Sequence, residues 1–211
     1  MAYFIFNNIN SKDMGIIVKK TPARTVPAEK KELIQVIGRN GYLTYSEDAY
    51  APITISIECT LKPTADIDNV ISWLLGRGKL ILSDIPDRYY EVEIVNNIPF
   101  EKVFKIWRNF IIQFESQPLA KSNEEEEIDI SSGTNIITLN CTANVYPVIE
   151  IIGSGEFRIL VNNEIINLNG ITTNVKIDNE LMNVTSIDGL INLNNKLNGN
   201  FIKLIPRGKR N

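Results

Sequence analysis

From Pro52 to Leu61 ("PITISIECTL") apolar and polar residues alternate: Ile53, Ile55, Ile57, Cys59 and Leu61 fall on one face, Thr54, Ser56, Glu58 and Thr60 on the other. A period of two belongs to a strand with one buried face. The period then changes, because Ile67, Val70, Ile71 and Leu74 recur at i, i+3, i+4 and i+7. That spacing predicts a helix, with Asp66 and Asp68 in its first turn and Thr64 as N-cap. Shorter apolar runs predict strands at Tyr3–Ile9, Ile16–Val18, Leu33–Ile37, Lys79–Ser83, Tyr89–Val95, Ile98–Ile106 and Trp107–Phe114. Asn96-Asn97 reads as a hairpin-like turn, since Asn tolerates positive φ. The polar stretch Lys19–Glu32, with two prolines, interrupts the strands and reads as an exposed arm or long β-loop.

Glu124–Glu127 and Ser131-Ser132-Gly133 mark a break in composition, and the domain boundary is placed there, giving domains 1–130 and 131–211. Beyond it the chain is rich in Ile and Asn. Strands are expected at Ile136–Asn140, Val148–Ile152, Glu156–Val161, Ile165–Leu168, Val175–Asp178, Leu190–Leu193 and Phe201–Ile205, with no helix. Turn residues recur at Gly153-Ser154-Gly155, Asn162-Asn163, Asn169-Gly170, Asp178-Asn179, Asp188-Gly189 and Asn198-Gly199. The fold class that follows is mainly β (α+β): a first domain of strands with one helix, then a small antiparallel β-sandwich.

Composition narrows the chemistry. The 211 residues are 44% hydrophobic and 22% charged, which is ordinary globular usage. Histidine is absent, and with it the commonest general base and the usual Ser and Cys triads. The two cysteines, Cys59 and Cys141, lie on strand-like segments and read as buried thiols. Net charge is -3; residues 1–120 hold 14 Lys/Arg and 14 Asp/Glu, and neither half carries a nucleic-acid footprint. The basic tail Arg207, Lys209 and Arg210 reads as a solvated end. No window suits a membrane span and the N-terminus lacks a signal-peptide pattern, so a cytoplasmic protein is expected.

Gly76-Arg77-Gly78-Lys79 looks like a phosphate cradle, but it follows a helix and no Ser or Thr comes after Lys79. The glycines therefore end the helix and lead into the strand Leu80-Ile81-Leu82. Asp84, Asp87, Glu91 and Glu93 do not match a calcium loop, and alternation puts Glu91 and Glu93 on a solvent face. Trp73 and Trp107 read as core residues. Sugar stacking in the second domain would have only Tyr146, Phe157 and Phe201 to use. No catalytic, cofactor or metal residue is assigned.

Ordered phrases remain: "FIFNNINSKDMGIIV", "PAEKKELIQVIGRNGYL", "ISIECTL", "ISWLLGRGKLILSDIPDRYYEVEIVNNIPFEKV", "FIIQFESQPLAK" and "YPVIEIIGSGEFRILVNN". Together they resemble the distal tail protein family of siphophages. The resemblance implies a structural virion tail protein assembled in the host cytoplasm, not an enzyme. It implies an N-terminal sandwich or split barrel, related to tail-tube folds, that closes into a hexameric ring through which DNA passes. A galectin-like C-terminal sandwich is implied to project outward. Implied partners are the tail tube protein, the tail-associated tip protein and receptor-binding proteins, and the ring can stack in pairs. The arm at about 19–32 stands where family members extend a belt toward a neighbouring subunit. "FIKLIPRGKRN" is similar to the family's late turn, but the chain then stops, leaving the second sandwich reduced, completed by another chain or truncated. Cys141 stands where the family often has Gly. A carbohydrate-binding module of the tail is the alternative reading, and a wall hydrolase a third.

Overall fold

The computed structural model describes residues 2–103, 107–139, 141–162 and 164–206. The protein is mainly β and divides into two compact units, Met1–Ile128 and Asp129–Asn211.

Unit 1 is built on a nine-stranded antiparallel sheet. Its strands are β1 (Phe4–Phe6), β2 (Ile9–Asn10), β3 (Ile16–Val18), β6 (Ile53–Leu61), β7 (Arg77–Leu82), β8 (Ile85–Ile94), β9 (Glu101–Val103), β10 (Trp107–Ser116) and β11 (Lys121–Ser122). The main path runs β2-β1-β7-β8-β10-β6-β3, with β11 on β8 and β9 on β10. The alternation read at 53–61 is realised residue for residue, since Ile53, Ile55, Ile57, Cys59 and Leu61 are all buried. They meet Phe110, Ile112 and Phe114 of β10 in one core. Where β8 leaves β10, the Asn96 amide fills the gap: it donates to Ile111 O and accepts from Gln113 N–H, at 2.9 and 2.7 Å.

Helix α1 spans Ile67–Trp73. Asp66, not Thr64, is its N-cap, accepting from the N–H groups of Asp68 and Asn69. The buried stripe also differs from the expected one: Val70, Trp73 and Leu74 face the core, and Ile71 is 43% exposed. Trp73 wins the inward position because its ring stacks on Phe4 and its Nε1–H donates to Phe6 O at 3.0 Å. Trp107, expected in the core, lies on the outward side of β10 and is 38% exposed.

Other boundaries move for local reasons. The run Tyr3–Ile9 is a tight hairpin instead of one strand, because Asn7 and Asn8 both adopt left-handed φ (48° and 66°) between β1 and β2. Of Ile98–Ile106, Glu101–Val103 forms β9 and residues 104–106 lie outside the described residues.

Unit 2 contains two three-stranded sheets, β12-β15-β16 and β13-β14-β17. The strands are β12 (Val148–Ile151), β13 (Gly155–Val161), β14 (Glu164–Ile171), β15 (Val175–Asp178), β16 (Asn183–Ser186) and β17 (Leu197–Gly199). Ile166, Leu168, Ile171, Val175, Ile177, Val184, Leu193 and Ile202 form its core. Buried Asn179 ties the core to its surroundings, donating to Pro147 O and accepting from Ile202 N–H.

Several expected elements of unit 2 are replaced. Residues 136–139 form no strand, and Asn140 lies outside the described residues. Leu190–Leu193 and Phe201–Ile205 supply isolated bridges, Thr185 with Asn192 and Val145 with Leu204. Asn194–Lys196 is a short 3-10 helix where no helix was expected. Asn169-Gly170 and Asn198-Gly199 are not turns but belong to β14 and β17. Gly199 is tolerated there because it packs against Ile165 O, where a Cβ would come to 2.1 Å. At the expected turn 162–163, Asn162 has φ 54°, and 163 lies outside the described residues, as does the basic tail 207–211.

Candidate interaction surface

Between β3 and β6 the chain makes a long excursion. It leaves the sheet after Lys19, whose N–H donates to Glu58 O. Arg24 then pairs with Asp84 in the β7–β8 connection, at 3.5 Å. Beyond this polar stretch, β4 (Glu29–Gln35) pairs antiparallel with β5 (Tyr42–Tyr50), and Ala51 N–H closes the base on Ala28 O. The strand expected at Leu33–Ile37 thus begins earlier, inside the arm, and ends at Gln35. Its partner β5 was not anticipated. The connection turns through Gly38 and Gly41, with φ of 82° and 78°, values open to glycine at little cost.

Every residue of β4 is exposed. Register sets the two faces. Ile34 lies opposite Leu43 and Glu32 opposite Tyr45, on one side; Leu33 opposite Thr44 and Gln35 opposite Tyr42, on the other. Leu33, Tyr42 and Tyr45 are about 60% exposed, and Ile37 at the tip is wholly so. The ribbon forms a two-stranded sheet of its own. Isolated two-stranded ribbons are marginal in water, so this one lacks the cover that its apolar side chains call for.

A second set of exposed apolar groups lies on the outward side of the main sheet. Trp107 and Ile111 share that face of β10, opposite the buried Phe110 and Ile112. Val95 N–H donates to Gln113 O, which puts Val95 diagonal to Ile111. Ile94 N–H donates to Gly76 O, bringing Leu75 to the same edge. Leu75, Val95, Ile111 and Trp107 are 68%, 53%, 46% and 38% exposed. Glu58 lies directly opposite Ile111, and Glu115 faces the same side.

The carboxylates weighed in the sequence do not converge. Asp84 meets Arg24, Asp87 its neighbour Arg88, Glu91 Lys121, and Glu93 Arg77. Among the described residues no group of three or more His, Cys, Asp or Glu could hold a metal ion. Gly76 (φ 86°) follows the helix C-cap Leu74, and Gly78 sits in β7 beneath the Asn7 side chain. Asn7 donates to Arg77 O and accepts from Lys79 N–H, so the loop's polar backbone is engaged internally. Cys59 is buried and Cys141 half-buried, both as free thiols. Burial pushes the Cys59 thiol up to about 12, with Lys19 acting the other way. Phe157 and Phe201 pack against the second core, leaving Tyr146, 42% exposed, as the sole ring of the three with a half-open face. Among the described residues no helix is long and apolar enough to cross a membrane.

No protein-family model and no curated protein matches the chain. Among solved structures, the chain is similar to the SPP1 Dit (gp 19.1) protein, described as a paradigm of the hub adsorption apparatus in phages that infect Gram-positive bacteria. The match has a TM-score of 0.75 at 12% identity and covers 98% of this chain and 91% of that one. The chain therefore has the fold of a phage distal tail protein.

Proposed function

We propose that the protein is a structural component of a phage tail, the hub at the distal end of the tail tube. The observation that carries this reading is the fold shared with a hub protein along nearly the whole chain. The exposed β4–β5 ribbon supports it from the residues themselves, since a ring needs one surface of each protomer to meet a different surface of the next.

In this reading residues 1–130 close a hexameric ring, single or stacked in pairs, and the ribbon with its arm is the belt that reaches a neighbour. Residues 131–211 form a galectin-like sandwich that projects outward. The lumen passes DNA without binding it tightly, in keeping with a chain that lacks a basic stripe. The ring joins the tail tube protein to the tail-associated tip protein and to receptor-binding proteins, in the virion tail. The protein catalyses no reaction.

Negative-stain imaging of the concentrated protein, alone and mixed with a tail tube protein, tests this. Rings with a central hole are expected, built of six chains of 23.8 kDa, about 143 kDa in all. Single-chain particles under both conditions would overturn it.

A further inference from the structure

We infer that Asn40, in the connection between β4 and β5, is a site of spontaneous modification at which the side-chain amide is exchanged for a carboxylate. The inference goes beyond the hub reading and does not rest on it. In an Asn-Gly pair the glycine nitrogen can attack the asparagine side chain, because glycine puts no Cβ in the way of the ring that closes. The Gly41 nitrogen bonds to Cγ of Asn40 and gives up its proton to water, the Cγ–Nδ2 bond breaks, and Nδ2 takes up a proton and leaves as ammonia. Water then opens the succinimide at either carbonyl, which leaves aspartate or isoaspartate at position 40 and a new negative charge beside Arg39.

The sequence holds Asn-Gly pairs at 40–41, 169–170 and 198–199, and the fold treats them differently. Ring closure needs the main chain to turn about the asparagine Cα–C bond until the next nitrogen reaches Cγ. At Asn40 that turn is free. Arg39 N–H donates to Val36 O at 3.2 Å, closing the turn before it, and the ladder resumes only at Tyr42, opposite Gln35. Asn40 and Gly41 lie exposed between them, and a Cβ placed on Gly41 would meet nothing within 4 Å. Asn198 and Gly199, by contrast, pair with Asn167 and Ile166 of β14, and Gly199 is pressed against Ile165 O. Asn169 and Gly170 sit at the bulge of β14 between the paired Leu168 and Ile171, and a Cβ on Gly170 would lie 3.5 Å from Lys196 Nζ. Asp188-Gly189, which could close the same ring by losing water, is also held: Asp188 accepts from the Ser186 hydroxyl and from Leu190 N–H, and Gly189 N–H donates to Ser186 O at 2.8 Å. At these three places the backbone turns only after paired structure opens locally. The tip also accommodates the extra main-chain atom of isoaspartate, since Gly38 and Gly41 on either side already use positive φ.

Peptide mapping tests the site. The full chain is kept warm at mildly alkaline pH, folded and in urea, then cut with a Glu-specific protease, which puts the three pairs in separate peptides, 33–47, 165–180 and 181–211. Fragment mass spectra locate the change from amide to acid, and enzymatic methylation of the free α-carboxyl reads isoaspartate. In the folded chain Asn40 is expected to convert about tenfold faster than Asn169 or Asn198, and in urea the three rates should converge. Asn40→Gln should remove the fast-forming acidic species from ion exchange of the folded chain, with circular dichroism reporting that the fold is kept. Equal rates at the three sites in the folded chain overturn the inference. So does the same lead for Asn40 in urea, which would place the cause in local sequence, and so does an Asn40 that converts in urea alone.

Discussion

Strands β5 and β6 are nine residues each and separated only by Ala51 and Pro52, yet they meet opposite environments. β6 lies between two strands and buries every second side chain in a core of aromatic and aliphatic groups. β5 pairs with β4 alone and leaves Tyr42, Leu43 and Tyr45 in water. The difference teaches that strand-like sequence has two uses here. One strand holds the unit together, and the other lies open at the surface, where the proposed assembly would cover it.

The largest effect that separates the two regions belongs to the core. Phe114 is fully buried against Phe4 and Phe6, so Phe114→Ala should cost about 3–5 kcal/mol in denaturant unfolding. A loss near that of a surface change would break the distinction. Next come the glycines under close approach. A Cβ at Gly78 would lie 1.7 Å from Asn7 Oδ1, and Gly78→Ala should cost about 1–3 kcal/mol by displacing the side chain that binds β7 on both flanks.

On the ribbon the same kind of change should leave the single chain almost untouched. Ile34→Ser with Tyr45→Ser should shift unfolding at high dilution by no more than about 1 kcal/mol, since the two side chains are 40% and 61% exposed. Its effect belongs in the assembly. Trypsin should cut at Lys30, Lys31 and Arg39 rapidly in the single chain and slowly in the assembled one. Equal rates would remove the ribbon from the interface.

The smallest effect is on the thiols. At pH 8.5 iodoacetamide should modify Cys141 and spare Cys59, whose thiol stays protonated to about 12. An unfolded thiol ionises near the ordinary value of 9.0. Stability from the buried neutral thiol is therefore fully present below pH 9 and lost between 9 and 12. Cys59→Val should flatten that alkaline slope in thermal unfolding.

The sheet core was legible because β6 alternates without a break and α1 keeps helical spacing. The particular stripe of α1 was not, since Trp73 turns inward through a hydrogen bond to Phe6 that only the fold supplies. β5 is not legible because Tyr42, Thr44 and Ser46 share one face and Leu43 and Tyr45 the other, so no period of two marks a buried side. In unit 2 the run at 136–139 has strand composition and no paired neighbour; composition specifies what can pair, and register and edges decide what does. The ribbon was half visible, as a polar arm. Its apolar part has the composition of an ordinary strand, and nothing in the sequence says that both faces stay open.

Light scattering of the wild-type chain beside a variant with residues 30–49 replaced by a short Gly-Ser linker tests the central claim most directly. The account predicts a mass near six chains, about 143 kDa, for the wild type and the 23.8 kDa of one chain for the variant. The same mass for both would contradict it, since the ribbon would then be closing nothing.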